Sequence, residues 1–181
     1  MENHIIDIED LKMLGRPINK MVSEHKLYAL ITETEMLQIK PMLGDSLYLT
    51  LVANVSNENP EDERIKLLLN GGTYDLADYK DCAEEGKRYF EGLKRAIAYF
   101  VYAQYVMTGE FESTRYGVAI KDNDYSHQIS DKQRSNYYNN LIDIGKGYLK
   151  DCVAFCKVSG LIKTTGRTLS NMGGFTIKKI G

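Results

Sequence analysis

AIAYFVYAQYVM, residues 96–107, is the stretch whose reading decides the fold. Gln104 is its only clearly polar residue. A helix that is apolar on every side has to be buried on most of them, which puts it at the centre of a bundle. The run is too short to cross a bilayer, for which about 20 apolar residues are needed. Its pattern predicts a central helix from about Glu85 to Met107, and the other elements are laid around it.

Downstream, Ser130-Asp131-Lys132-Gln133 reads as a capping box, in which the Ser and Gln side chains each satisfy a backbone N–H at the helix start. Tyr137, Tyr138, Leu141, Ile142, Tyr148, Leu149, Cys152, Val153 and Cys156 then recur at helical spacing, and Gly160 stops the helix. Upstream, a short amphipathic helix is expected from Asp7 to Gly15. A second opens at Ser23 with Leu27, Leu30, Ile31 and Leu37 on its apolar side, and Pro41 is expected to end it just before itself. Asp45 caps a third, carrying Leu47, Tyr48, Leu51 and Val52. Asn59-Pro60 followed by three acids starts a fourth, which stops at Gly71-Gly72. TYDLADYKDC, residues 73–82, reads as a small hairpin or an irregular excursion.

Two segments do not fit a bundle. STRYGVAIKDNDYS, residues 113–126, is too long for a tight helix–helix turn and too apolar at Val118, Ala119 and Ile120 for a plain solvated loop. The segment after Gly160 is rich in Gly and Thr and closes on the alternating Phe175-Thr176-Ile177-Lys178, without an obvious partner strand. The expected fold is mainly α. Residues 1–160 form a helical bundle with a central apolar helix and an extended arm at 113–126 between the last two long helices. Residues 161–181 form a strand-like C-terminal tail.

The residue chemistry narrows the function. Hydrophobic residues make up 43% and charged residues 27%, a globular balance that excludes a disordered chain. A net charge of -2 leaves no broad basic field to hold nucleic acid. Thirteen Tyr against five Phe suit wet core edges and contact surfaces. The stripe Tyr99, Tyr102, Tyr105, Tyr137, Tyr138, Tyr148 reads as core lining rather than a stacking platform for bases. The N-terminus has no basic region leading into an apolar one, and three unpatterned Cys read as free thiols, so a cytosolic place of assembly is expected. Asp122-Asn123-Asp124 resembles the opening of a calcium loop, but the sixth and twelfth positions hold His127 and Gln133 where Gly and Glu are required. His4, His25 and His127 form no metal-ligand pair. No phosphate loop or nucleophile elbow is present, and the acidic residues read as solvated helix surface. Neither a catalytic site nor a metal or cofactor is expected.

The order of segments resembles a family of small neck proteins of tailed phages and prophages of gut bacteria, crAss-like phages among the plausible sources. The resemblance is carried by Lys40, Pro41, Leu43, Gly44, Leu47, Tyr48 and Leu51, by LLLNGGTYD and FEGLKRAIAYFVYAQYV, by TRYGVAIKDNDYS in the arm, and by the closing GFTIKKIG. It implies a head–tail connector or adaptor, a virion protein assembled in the host cytoplasm. Such proteins form a ring, commonly of twelve copies, under the portal protein and join other neck or tail proteins. DNA passes through without being read. Arm and tail would then touch neighbours by β-augmentation. The arm contacts are expected at Arg115, Tyr116, Val118, Ile120, Lys121 and Tyr125, and the tail contacts at Arg167, Leu169, Phe175, Ile177 and Ile180. The competing reading is a small cytosolic helical module that binds a protein partner.

Overall fold

The computed structural model describes residues 4–19, 22–55, 62–79, 86–108, 111–114, 117–120 and 130–162. The fold is mainly α. In chain order it runs α1 (Ile8–Leu14), α2 (Glu24–Thr34), a π turn (Glu35–Ile39), α3 (Lys40–Leu43), α4 (Asp45–Val55) and α5 (Glu63–Asn70). Then come β1 (Gly72–Asp75), a 3-10 turn (Leu76–Asp78), β2 (Lys87–Phe90), α6 (Leu93–Thr108), β3 (Phe111–Thr114), β4 (Gly117–Ile120) and α7 (Asp131–Val158).

The apolar run does form the centre. α6 packs against α1, α2, α5 and α7. Ala96, Ile97, Ala98, Phe100, Val101 and Ala103 are fully buried, and Tyr102 and Tyr105 are half-buried. The helix starts later than the sequence suggests, because Lys87–Phe90 is a strand. Gly92, at φ 87°, separates strand from helix. Its backbone lies against that of Gly71, so closely that a Cβ on either would fall within 2.6 Å of the other's peptide. β1 and β2 pair antiparallel from Gly72↔Phe90 to Asp75↔Lys87. This hairpin is held on the bundle by rings: Tyr74 and Phe90 each place their centroid 5.0 Å from that of Phe155 in α7.

The capping box of α7 is present. Gln133 N–H donates to Ser130 Oγ at 3.3 Å, and Ser130 N–H donates to Gln133 Oε1 at 3.0 Å. Asp7 caps α1 by accepting from Asp10 N–H at 2.7 Å. Ser23 takes the N-cap position of α2 without a side-chain capping bond. Pro41 does not end that helix. The chain widens at Glu35–Ile39, where Lys40 N–H bonds to Glu35 C=O, and carries on as α3 with Pro41 in its first turn. A proline clashes with the carbonyl four residues back, and a π turn relieves that clash by moving the backbone pairing to five.

Among the described residues the most extensive helix–helix contact is between α6 and α7. A Cβ at Gly145 would stand 2.9 Å from Phe100 Cε1 and 3.0 Å from its Cδ1. Gly147, one half-turn on, faces open space. Around this contact Tyr99 meets Tyr148 edge-on at 5.4 Å and Tyr102 meets Tyr137 edge-on at 6.3 Å. Tyr138 is buried and Tyr137 is partly exposed, so the Tyr stripe lines the α6–α7 seam and its rim. Burial, then the hydrogen bond with Tyr137, raises the Tyr102 hydroxyl to about 12.

The two glycines give opposite expectations. Gly147→Ala should stabilise by about 0.5–1 kcal/mol, the difference in helix propensity. Gly145→Ala gains the same propensity but overpacks Phe100, at a cost of about 1–3 kcal/mol, so it should destabilise. Urea denaturation of both variants reads the signs; stabilisation by Gly145→Ala would contradict the close α6–α7 approach.

Candidate functional site

Glu35 is the clearest departure from the reading of the acids as solvated surface. Its side chain is completely buried at the start of the π turn. Ile5 N–H donates to Oε1 at 2.7 Å, and Tyr48 Oη–H of α4 donates to Oε2 at 3.1 Å. His4 Nδ1 stands 3.4 Å from Oε2, and the His4 ring stacks on Tyr28 at 5.7 Å. Ile5 and Ile6 beside it are fully buried. The carboxyl therefore ties the start of the described chain to two helices. Burial pushes its pKa up, against the lowering effect of the Ile5, His4 and Tyr48 contacts. Sequence reasoning missed it, because its partners lie up to 31 residues away.

The last turn of α7 builds a second feature. Ser159 ends the helix, and Gly160 at φ 71° turns the chain. Leu161 and Ile162 then lie against the core. Arg64 Nη1 donates to Ser159 C=O at 3.1 Å, which ties the start of α5 to the end of α7. The same guanidinium grips Asp62 with two bonds, Nε to Oδ1 at 3.0 Å and Nη2 to Oδ2 at 2.7 Å. Asp62 also caps α5 through Arg64 N–H at 2.9 Å, and these bonds from Arg64 hold its carboxyl below the usual range. Between α4, α5 and this turn lies a cleft of about 750 Å³. Its walls include Leu47, Ile65, Leu161 and Ile162, with Asp45 and Asp62 among its polar residues. That volume is within the range of ligand clefts, about 300–1,000 Å³.

The arm is the third feature. β3 and β4 pair antiparallel, from Phe111↔Ile120 to Thr114↔Gly117. The hairpin thus begins two residues before the expected arm. Val118 and Ile120 lie in β4. Among the described residues each strand pairs only with the other, so both outer edges are without a strand partner. Arg115, Tyr116, Lys121 and Tyr125 lie outside the described residues, as do Arg167, Leu169, Phe175, Ile177 and Ile180 and the Asp122–Asp124 run.

Cys152 and Cys156 are buried and free. Burial raises both thiols, that of Cys156 to about 12, which keeps them protonated and inert. His25 is exposed on α2. Among the described residues no group of three His, Cys, Asp or Glu could hold a metal ion, and no helix is long and apolar enough to cross a membrane.

These features define a mainly α bundle protein with a two-stranded arm between its longest helices and a cleft beside the end of α7. The chain belongs to a family of unknown function, DUF6712, whose pattern matches residues 39–158, from the end of the π turn to the end of α7. No curated protein and no solved structure matches it.

Glu35 yields a pH prediction. Its folded pKa is raised, so the folded state holds the proton more tightly than the unfolded chain. Stability should therefore fall as pH rises from the ordinary carboxylate range through the raised folded value. Glu35→Gln should flatten that slope, since an amide can still accept from Ile5. Glu35→Ala leaves the buried Ile5 N–H without its acceptor and removes the bond from Tyr48, and should cost about 2–4 kcal/mol. Denaturation midpoints from pH 4 to 8 test both.

Proposed function

We propose that this chain is a subunit of a phage head–tail connector, a structural virion protein that forms a ring under the portal and joins it to other neck or tail proteins. The observation that carries the reading is the β3–β4 arm. A two-stranded hairpin is marginal in water unless something covers it. The β1–β2 hairpin is covered by the ring cluster on Phe155. Among the described residues β3 and β4 pair only with each other, and their outer edges can pair with a neighbour's backbone. A heterologous contact of this kind closes into a ring when its rotation allows. Twelve copies is the expected number, from the family resemblance. A mildly acidic chain suits a lumen that DNA traverses without sticking, and the role asks for no catalytic group.

The hairpin register supplies a specific test. Two residues close the loop, so Thr114 and Gly117 exchange the first pair of bonds, and at Ser113↔Val118 the N–H groups point to the outer edges. Val118→Pro therefore removes a donor from the free edge and none from the hairpin's own ladder. Light scattering should find the native chain in a high-order ring, alone or with a portal ring. Val118→Pro should reduce assembly while leaving helix content unchanged. Truncation after Ile162 should do the same, since Leu161 and Ile162 still pack on the core. A native chain that stays monomeric and ignores the portal would favour the partner-binding module instead.

A further inference from the structure

We infer that the cleft between α4, α5 and the end of α7 receives the C-terminal segment Phe175–Ile180 of a neighbouring copy. This inference rests on the connector reading and names the acceptor for the tail. Three observations carry it.

First, the cleft is partly apolar. Leu47 and Ile65 are nearly buried in its walls, and Leu161 and Ile162 are half-buried against the core. An extended segment with Phe175 and Ile177 on one face and Thr176 and Lys178 on the other would put its apolar side against these residues.

Second, the charges are complementary. Residues 163–181 contain Lys163, Arg167, Lys178 and Lys179 and no acid, although the whole chain is at -2. Every Asp and Glu therefore lies before the tail. At the cleft, Arg64 is engaged by Asp62, and Asp45 forms a surface ion pair with Lys40 at 3.5 Å while its side chain stays 80% exposed. That exposure leaves room for Lys178 or Lys179 as a second cationic partner of Asp45.

Third, the described part of α7 and its following turn ends at this cleft. Ile162 is both a cleft residue and the last described residue, so each subunit donates its tail from beside the cleft that accepts one. A donor and an acceptor on every copy is the arrangement that a closed ring needs.

The test uses full-length chains in a Cys82→Ser background, with Cys152 and Cys156 left buried. One chain carries Thr50→Cys, in the cleft, and the other Ile177→Cys. They are mixed and treated with a short bismaleimide. A covalent pair of one chain with the other is expected, several-fold above that from a Met13→Cys control, and weakened by Asp45→Lys. No pair above the control overturns the inference. So does a chain bearing both cysteines that links only within itself, since its own tail then fills the cleft. Light scattering of the same samples separates the two readings. Ring-sized particles without the pair overturn this inference alone. The pair without ring-sized particles supports the cleft and overturns the connector.

Discussion

The rest of the structure depends on how closely α6 and α7 approach at Gly145 and Phe100. The missing side chain at Gly145 lets the Phe100 ring lie against a helix backbone, where it is wholly buried. A buried Phe contributes about 1.5–3 kcal/mol relative to an exposed one. More is at stake than that ring. α7 carries Phe155, which fixes the β1–β2 hairpin, and it also carries the Ser159 carbonyl, which holds Arg64. A shift of α7 away from α6 would loosen both. The glycine costs about 1 kcal/mol in helix propensity, and the close contact offsets it.

Glu35 holds the start of the described chain by a different force. A buried carboxylate is expensive unless its lone pairs are used, and here they accept from Ile5 N–H and Tyr48 Oη–H. The result is an alignment that apolar contact alone would not fix. Ile5 and Ile6 could slide along a greasy surface, but the 2.7 Å bond from Ile5 sets their register against the π turn.

Much of the fold was legible because it rests on local chemistry. Ser130 and Gln133 announce α7, Gly71 and Gly160 mark real stops, and the apolar run of α6 declares its burial. What the sequence hid was tertiary. Pro41 reads as a terminator to any rule that assumes bonds four residues back, and the π turn evades that assumption. Glu35 looks like a surface acid until Ile5 arrives from a distant segment. Lys87–Phe90 is polar enough at Lys87 and Arg88 to pass for a helix start, yet it pairs with β1. The cleft combines residues from α4, α5 and the turn after α7, and no local pattern encodes such a convergence. Its one visible trace was an apolar pair, Leu161-Ile162, just past a helix stop.

The arm leaves α6 after Thr108 and the chain re-enters the bundle at Asp131, where α7 packs back on the helix just left. That geometry makes its length nearly free. Loop-closure entropy grows only with the logarithm of length, so doubling the excursion would cost about 0.6 kcal/mol. The bundle's cohesion rests on the α6–α7 seam, whose contacts are made by residues outside the excursion. Relatives can therefore diverge in this segment, by insertion as well as by substitution, without renegotiating the core. An engineer seeking to graft a peptide loop onto this scaffold would start between Thr108 and Asp131.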